Sequence, residues 1–508
     1  MKFTFKSYII LTLFVLLGSS CKESFLDINT NPNALPTALP NFVLTAALNQ
    51  TAALSVTPNE IGSYWSGLWT QSNGYIISTT QFGYNFTNGD FNYWDGFYDN
   101  LQDYQYVIEN ADANKQPFLK GPAKVMKAML FQQLVDMYGN VPYSAALKGV
   151  KSLAPKFDDQ KAIYESLITS LDEAIVDIKA NPFASAFTGS DIVFKGNATK
   201  WAKFANSLKL RILMHQARVS GRDAYIKTEI NKIVAEGSGF ISGEDVGSGG
   251  SGFYVASAGK LNPIYERWGY SATSAKLALN NYVRMTEFLV KGLQANNDTF
   301  RLKRYGYAPG GEGSTPGVSS KAEIAANYVG IPFGASSGFL PAITCSIGPS
   351  LIVKGVFDKP VIHMTAAEVQ LNLAEAKERF GTGVNLTSDA KTYFEAGMTE
   401  SFRLLGAGTA NATKFMGINN YDYAASTNKL QAIAIQKWLA FANFSGLEAW
   451  TEYRKTGFPV TPQSIQVTDS KRPLRFFYPN TESGSNAENV KAQGTIDVFA
   501  TRLFWDID

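Results

Sequence analysis

The sequence predicts a mainly α-helical protein of stacked helix hairpins, interrupted by two long irregular segments. Apolar residues recur at helical spacing, and short loops join the helical segments in pairs. Few segments alternate apolar and polar residues as a half-buried strand does. Hydrophobic residues make up 45% of the 508 residues, enough for a large core. We expect residues 21–508 to form one helical domain, although no clean repeat of about 34 residues is present.

Residues 1–20 have the features of a bacterial lipoprotein signal peptide. Lys2 and Lys6 precede the apolar run Tyr8–Leu17, which is too short to cross a membrane as a helix. Small residues then lead to Cys21, the residue that acylation would modify. Ordinary signal cleavage beside an unrelated cysteine is the alternative. We expect a lipid on Cys21 and, since no second long apolar run exists, no other membrane attachment.

Ten segments carry the apolar stripe of an amphipathic helix. They are Asn92–Ala111, Leu119–Tyr138, Gln160–Ala180, Trp201–Val219, Tyr225–Ala235, Ala275–Ala295, Ala366–Phe380, Ala390–Leu405, Leu430–Ala442 and Leu447–Lys455. Asp158 and Asn197 stand where the N-caps of the third and fourth helices are expected. Thr365 and Glu368 have the spacing of a capping box, in which hydroxyl and carboxylate bind each other's backbone amide.

Two long segments interrupt the helices, Gly237–Tyr270 and Asp298–Lys359. Loops of this length inside a compact protein are usually functional or disordered. Both are rich in aromatic residues, which favours ordered, packed loops. We expect these two excursions to gather near the aromatic segment Tyr64–Asn100.

Charge and residue usage exclude several classes of function. Removal of residues 1–20 lowers the number of Lys and Arg from 46 to 44, against 43 Asp and Glu, so no overall charge attracts nucleic acid. His215 and His363 are the only histidines, and Cys345 is the only cysteine besides Cys21, so a Cys/His zinc cluster is absent. We expect His215 to pack or cap a helix rather than bind a ligand. The sequence predicts no metal site and no cofactor.

Three carboxylates lie four residues apart in the predicted helix Asn92–Ala111, at Asp95, Asp99 and Asp103. They could bind a cation or form ion pairs with arginine side chains. A solvated or salt-bridged face is the expectation, because exposed acidic faces are common on helices.

The segment Tyr64–Asn100 is aromatic, rich in amides and hydroxyls, and free of Lys and Arg. The wider region Glu23–Asn114 also has no Lys or Arg, but it holds nine acidic residues. An anionic ligand bound there alone would lack a counter-charge. A neutral glycan or a peptide with a free amine would not, since sugar rings stack on aromatic faces and their hydroxyls bind amides.

Aromatic residues outside helical periodicity are therefore our candidates for ligand contact. The predicted ligand-binding residues are Trp65, Trp69, Asn73, Tyr75, Tyr265, Trp268 and Tyr305. The alternative is that most of these rings belong to the core, as we expect for the helical stripe formed by Trp94, Phe97, Tyr98 and Leu101.

Six segments, in order along the chain, resemble the SusD/RagB-like outer-membrane lipoproteins. They are CKESFLDINTNPNA (21–34), FQQLVDMYGNVPYSAAL (131–147), KGNATKWAKFANSLKLRI (195–212), MTAAEVQLNLAEA (364–376), QKWLAFANFSGLEAWTEYRKTGFP (436–459) and RFFYPNTESGSNAENV (475–490). Each resemblance is weak alone, but together they span nearly the whole chain after residue 20.

The resemblance implies four tetratricopeptide-like helix pairs and a ligand site on the excursions. It also implies a partner, a SusC-like TonB-dependent barrel over which the lipoprotein closes as a lid. Lys22 and Glu23 resemble the signal that sends such lipoproteins to the cell surface. The implied function is non-catalytic capture of a nutrient, either a glycan or an oligopeptide.

Two other classes of function remain open at this point. One is a helical-repeat scaffold that binds only protein. The other is a helical-toroid glycoside hydrolase, which needs an acid and a base or nucleophile across the sugar. Asp90 and Asp95 could serve as that pair, although nothing in the sequence marks either as catalytic.

Overall fold

The computed structural model describes residues 38–311, 324–407, 409–418 and 421–507. The signal segment 1–20 and Cys21 lie outside these residues. The helices are α1 (Pro40–Trp65), α2 (Thr79–Phe82), α3 (Trp94–Asn110), α4 (Lys120–Tyr138), α5 (Gln160–Ala180), α6 (Ala198–His215), α7 (Asp223–Glu236), α8 (Pro263–Trp268), α9 (Ala278–Tyr282), α10 (Glu287–Ala295), α11 (Thr299–Tyr305), α12 (Ala366–Phe380), α13 (Ala390–Leu404), α14 (Thr409–Met416), α15 (Lys429–Phe441), α16 (Gly446–Thr456), α17 (Asn480–Ser485) and α18 (Ala487–Lys491). The strands are β1 (Trp69–Gln71), β2 (Val246–Gly249), β3 (Val283–Met285), β4 (Gly306–Tyr307), β5 (Ser346–Ile347) and β6 (Pro360–Met364).

The long helices pack against one another in a closed series, which we call the helical body. The series runs α1, α3, α4, α5, α6, α12, α15, α16 and back to α1, with α13 packed on the outside of α12. Helices α1 and α16 approach closely at Gly62 and Gly446, where neither helix has room for a Cβ atom. The prediction of a mainly α-helical fold of stacked helices is confirmed.

Nine of the ten predicted helices are present, with bounds that agree within a few residues. The prediction of one helix over Ala275–Ala295 is wrong. That segment forms α9, β3 and α10, because Val283–Met285 pairs with strands on both sides.

The first and longest helix, α1, was not predicted. It contains Pro58, and its end, Glu60–Trp65, is buried on every side. A segment that is buried all round has no polar face, so this end of the helix gives no apolar stripe to detect. Glu60 is the only charged residue among its 26, so the charged side chains that usually mark a helix surface are also missing from its exposed positions.

The helix caps follow the sequence prediction in part. Asn197 caps α6 by accepting a hydrogen bond from Lys200 N at 3.0 Å, as predicted. The prediction for α5 is wrong by one residue, because Asp159 accepts from the first-turn amides. Asp158 instead accepts from the backbone N–H of Tyr143 at 2.8 Å.

The capping box of α12 is only half formed. Thr365 Oγ1 accepts from Glu368 N at 3.1 Å, as predicted. The Glu368 carboxylate does not return to the backbone of Thr365 but binds the guanidinium of Arg211, at 2.5 and 2.7 Å.

A four-stranded antiparallel sheet joins the aromatic segment to the second excursion, in the order β1–β3–β5–β4. The first excursion contacts the same segment through Trp268, whose ring packs edge-on against Trp69 at 5.0 Å. These contacts confirm that both excursions gather near Tyr64–Asn100. In the first excursion β2 pairs with β6.

Among the described residues, no helix has both the length and the apolar character needed to cross a membrane.

Candidate functional site

Most of the predicted ligand-binding side chains are buried. Trp65, Trp69, Tyr265, Trp268 and Tyr305 are at most 3% exposed. Asn73 is 4% exposed. The expectation that these rings offer open faces for stacking is therefore contradicted, because other parts of the chain cover them.

Trp65 illustrates how the rings are covered. It packs against Phe86 and Phe91 from its own segment, and against Trp450 and Phe476 from the far end of the chain, with ring centroids 5.0 to 5.6 Å apart. Its Nε1 donates to Gln81 O at 3.0 Å. The ring is thus part of the core on all sides.

The other buried candidates also bind within the protein. Trp69 Nε1 donates to Asn443 Oδ1 at 2.9 Å. Tyr305 OH donates to Leu439 O at 2.6 Å. Tyr265 OH accepts from Gly355 N at 2.9 Å. Tyr305 thus connects the second excursion to the helical body, and Tyr265 connects the two excursions to each other.

Tyr75 is the exception among the predicted residues. Its side chain is 37% exposed, and the neighbouring Ile76 is 95% exposed. The Tyr75 ring packs edge-on against Tyr282 at 5.5 Å, which leaves the rest of the ring open. Gln71 holds the backbone of this loop by donating from Nε2 to Ile76 O at 2.9 Å.

Asn73 joins this loop to a second loop from the excursion at 298–359. Its Nδ2 donates to Ala335 O at 2.8 Å, and its Oδ1 accepts from Phe339 N at 2.7 Å. Directly after Phe339, Leu340 and Ile343 are each 53% exposed. Asn73 is therefore a positioning residue rather than a direct ligand contact.

Four exposed apolar side chains thus stand on two loops that Asn73 holds together. We call Tyr75, Ile76, Leu340 and Ile343 the rim. Beneath it, the buried Arg284 donates to the backbone oxygen of Asn280 at 2.7 Å and approaches that of Pro341 at 3.5 Å. Sequence reasoning missed Ile76, Leu340 and Ile343, because a lone aliphatic residue in a loop gives no sign of its exposure.

One group of possible metal ligands occurs among the described residues, Asp136, His215 and Glu448. His215 Nε2 lies 3.1 Å from Glu448 Oε2, and Nδ1 lies 3.4 Å from Asp136 Oδ2. Burial lowers the pKa of His215, but the two carboxylates outweigh burial and raise the pKa to about 9. At neutral pH the protonated imidazole is therefore the cation of this group.

The charge cluster around His215 extends through the centre of the helical body. Burial raises the pKa of Glu448, but Arg211 and His215 outweigh it and lower the pKa to about 2. Nearby, Lys455 lies 2.9 Å from the carboxylates of both Glu375 and Glu452. The cluster is buried, so its ion pairs hold helices together and its side chains are not open to a ligand.

The acidic residues named from the sequence lie on or near the surface. Asp90 is held in a turn, where its carboxylate accepts from Thr87 N at 2.9 Å. Asp95 accepts from Asn92 at 2.8 Å and from Thr481 at 2.9 Å. Asp99 is exposed and Asp103 half-buried, as expected for the solvated face of α3.

Comparison with known proteins agrees with this architecture. Residues 32–479 match the SusD-like family described as "starch-binding associating with outer membrane". No protein with a curated functional description matches the chain significantly.

Several solved structures share the fold. A chitin-binding SusD homolog from Flavobacterium johnsoniae is 22% identical, with a TM-score of 0.71 over 92% of this chain and 99% of that chain. A SusD homolog from Bacteroides uniformis is 25% identical, with a TM-score of 0.71 over 92% and 100% of the two chains. A proposed outer-membrane protein from Bacteroides vulgatus, with a suggested role in nutrient binding, is 22% identical, with a TM-score of 0.74 over 92% and 100%. With the family match extending from residue 32 to 479, this chain belongs to the SusD/RagB-like family of outer-membrane-associated binding proteins.

Proposed function

We propose that this chain captures a neutral glycan at the rim and passes it to a SusC-like TonB-dependent barrel, without catalysing a reaction. The observation that carries the proposal is the exposed rim itself, in which Tyr75 and three aliphatic side chains stand on loops fixed by Asn73. An oligopeptide with a free amine remains the other ligand compatible with the absence of Lys and Arg between Glu23 and Asn114.

The chemistry of the rim favours a sugar. A partly exposed tyrosine ring gives a sugar's C–H face an apolar surface, while its hydroxyl and nearby backbone groups can bind sugar hydroxyls. The hydroxyl of Tyr75 reaches Ala278 O at only 3.4 Å, a long hydrogen bond that a ligand could replace. The family description and the chitin-binding relative suggest starch and chitin fragments as first ligands to test.

Isothermal titration calorimetry tests the proposal on the chain without residues 1–21. Maltooligosaccharides, chitooligosaccharides and short peptides are titrated in turn. We expect one glycan class to bind and Tyr75→Ala to weaken it by about 1–3 kcal/mol, by analogy with base–aromatic stacking, or roughly 5- to 150-fold.

Phe42→Ala is the matched control for that titration. Phe42 is a 62% exposed aromatic residue near the start of α1, roughly 35 Å along the helix from Trp65. Its loss should leave binding unchanged. Normal glycan binding by Tyr75→Ala would place the site elsewhere, and binding of peptides alone would change the ligand class.

Membrane attachment is a separate part of the proposal. Residues 1–20 would be removed and Cys21 acylated, with the domain from 21 to 508 displayed on the outer face of the outer membrane. Cys21→Ala should then release the protein into the soluble fraction. Retention of this variant in the outer membrane would contradict lipid anchoring.

The rim also suits a purely protein-binding function, because Ile76 is almost completely exposed. An aliphatic contact of this kind could dock on the barrel. One experiment distinguishes nutrient capture from a purely protein-binding function. A protein-binding scaffold would co-purify with the barrel and bind no glycan or peptide. A hydrolase would cleave its ligand, so incubation of the bound glycan without cleavage would exclude that alternative.

A further inference from the structure

A cavity lined by none of the rim residues lies where both excursions meet the helical body. Its volume is about 220 Å³. Its apolar walls include Ile264 from α8, Leu351 from the second excursion, Ile362 from β6, Leu404 from α13 and Phe444 from the loop between α15 and α16. The cavity therefore joins five separate parts of the chain.

Lys359 is the only charged residue lining this cavity. Its ammonium group donates to Pro349 O at 2.6 Å and to Ser350 O at 3.1 Å. Among the described residues, no carboxylate forms an ion pair with it. Burial lowers its pKa to about 8. Two carbonyl groups use two of the three ammonium protons, so one donor and an unbalanced positive charge remain.

The hydroxyl of Ser350 supplies a second donor beside the ammonium group. Its oxygen accepts from Asn443 Nδ2 at 2.9 Å. Within the described part of the chain, the hydroxyl proton has no acceptor. Lys359 and Ser350 both line the cavity, and Lys359 Nζ also contacts the backbone oxygen of Ser350, so the two free donors belong to the same part of its wall.

The other polar residues of the cavity are already satisfied. Asn443 Oδ1 accepts from Trp69 Nε1, and Asn443 Nδ2 also donates to Tyr305 O at 2.9 Å. Asn262 donates to Lys359 O at 2.6 Å, and its Oδ1 accepts from the first amides of α8. The cavity thus offers two hydrogen-bond donors, one positive charge and apolar walls.

We propose that this cavity binds a small monocarboxylate with a short apolar tail, whose two oxygens accept from Lys359 and Ser350. A charge-assisted hydrogen bond from a lysine to a carboxylate is stronger than one between neutral groups. The tail would lie along Ile264, Leu351 and Ile362. A phosphate ion fits less well, because its charge would be balanced by one lysine only, and the apolar side chains of the cavity would leave its other oxygens without hydrogen bonds. The site is independent of glycan capture at the rim.

Calorimetric titration of the chain without residues 1–21 with hexanoate tests this site, with hexan-1-ol and inorganic phosphate as comparison probes. We expect saturable binding of hexanoate and much weaker binding of the other two. Lys359→Met should weaken hexanoate binding by about 10- to 100-fold, the range for losing a hydrogen bond to a charged group. Lys359→Arg should retain part of the affinity.

Lys354→Met is the matched control, because Lys354 is an exposed lysine five residues earlier in the same excursion. It should bind hexanoate normally, as should Tyr75→Ala at the rim. Absence of hexanoate binding to the unaltered chain, or equal binding by Lys359→Met, would overturn the proposal. If Lys359→Met does not fold, Leu404→Phe is tested in its place. The larger side chain in the cavity wall should block hexanoate binding, and unchanged hexanoate binding by this variant would overturn the proposal.

Discussion

The aromatic segment Tyr64–Asn100 contains two regions that look alike in sequence and differ in structure. Trp65 is 3% exposed and is surrounded by five other rings, whereas Tyr75, ten residues later, is 37% exposed and contacts one ring. The rings that cover Trp65 include Trp450 and Phe476, which lie 385 and 411 residues further along the chain. Whether an aromatic residue serves stability or binding is thus decided by distant parts of the chain.

Stability should depend far more on Trp65 than on Tyr75. Trp65→Ala removes a large ring from a packed cluster and should cost about 3–5 kcal/mol of unfolding free energy. Tyr75→Ala removes a partly exposed ring and should change the unfolding free energy by no more than about 0.5 kcal/mol. Urea denaturation of both variants measures the contrast. Equal losses would mean that the two regions do not differ as the burial of their rings indicates.

The helical body and the rim should also respond differently to pH. The pKa of His215 is about 6.5 when exposed and about 9 in the folded protein. Its contribution to stability is therefore complete below pH 6.5 and is lost as the pH rises through 9, on the order of 3 kcal/mol in all. The rim contains no histidine or carboxylate among its four side chains, so glycan affinity should stay constant between about pH 6 and pH 8.

Chemical denaturation between pH 6 and pH 10 checks this pH dependence, with His215→Gln as the matched variant. The variant should be less stable at neutral pH, because it removes the protonated imidazole that lies beside the buried carboxylates of Asp136 and Glu448 and leaves Glu448 with Arg211. It should also lack the loss of stability near pH 9. The same alkaline loss in both proteins would show that another group causes it.

Asn73, which joins the two loops of the rim, should affect both stability and binding. Asn73→Ala leaves Ala335 O and Phe339 N without their side-chain partners, which should cost about 1–3 kcal/mol. It should also weaken glycan binding, because Leu340 and Ile343 lose their fixed position. Asn114→Ala is the control at an exposed asparagine, and it should change neither the unfolding free energy nor the glycan affinity. Unchanged binding by Asn73→Ala would mean that the second loop is not part of the site.

The sequence was sufficient for the elements that carry a regular pattern. The bounds of α5 and α12 follow directly from apolar periodicity and capping residues. Helix α1 was not predicted because its end, Glu60–Trp65, is buried on every side and the rest of the helix has no charged residue to mark a polar face. Strand β3 was not predicted because its three residues are stabilised by pairing with β1 and β5, which are distant in sequence.

The candidate site was harder to predict than the fold. Composition directed attention to Tyr64–Asn100, and Tyr75 is the one predicted residue of this segment with an exposed ring. Composition could not separate Tyr75 from Trp65, since both are aromatic residues in a polar segment. Exposure of Ile76 and Leu340 depends on what packs against their loops, and no local pattern records that.

We propose that the ligand binds at the rim and not at the buried rings. Hydrogen–deuterium exchange, with and without a saturating glycan that binds in calorimetry, tests it without altering the protein. We predict slower exchange in residues 72–78 and 335–343 and no change around Trp65 in α1. Protection confined to other segments, with the two rim loops unaffected, would contradict the account.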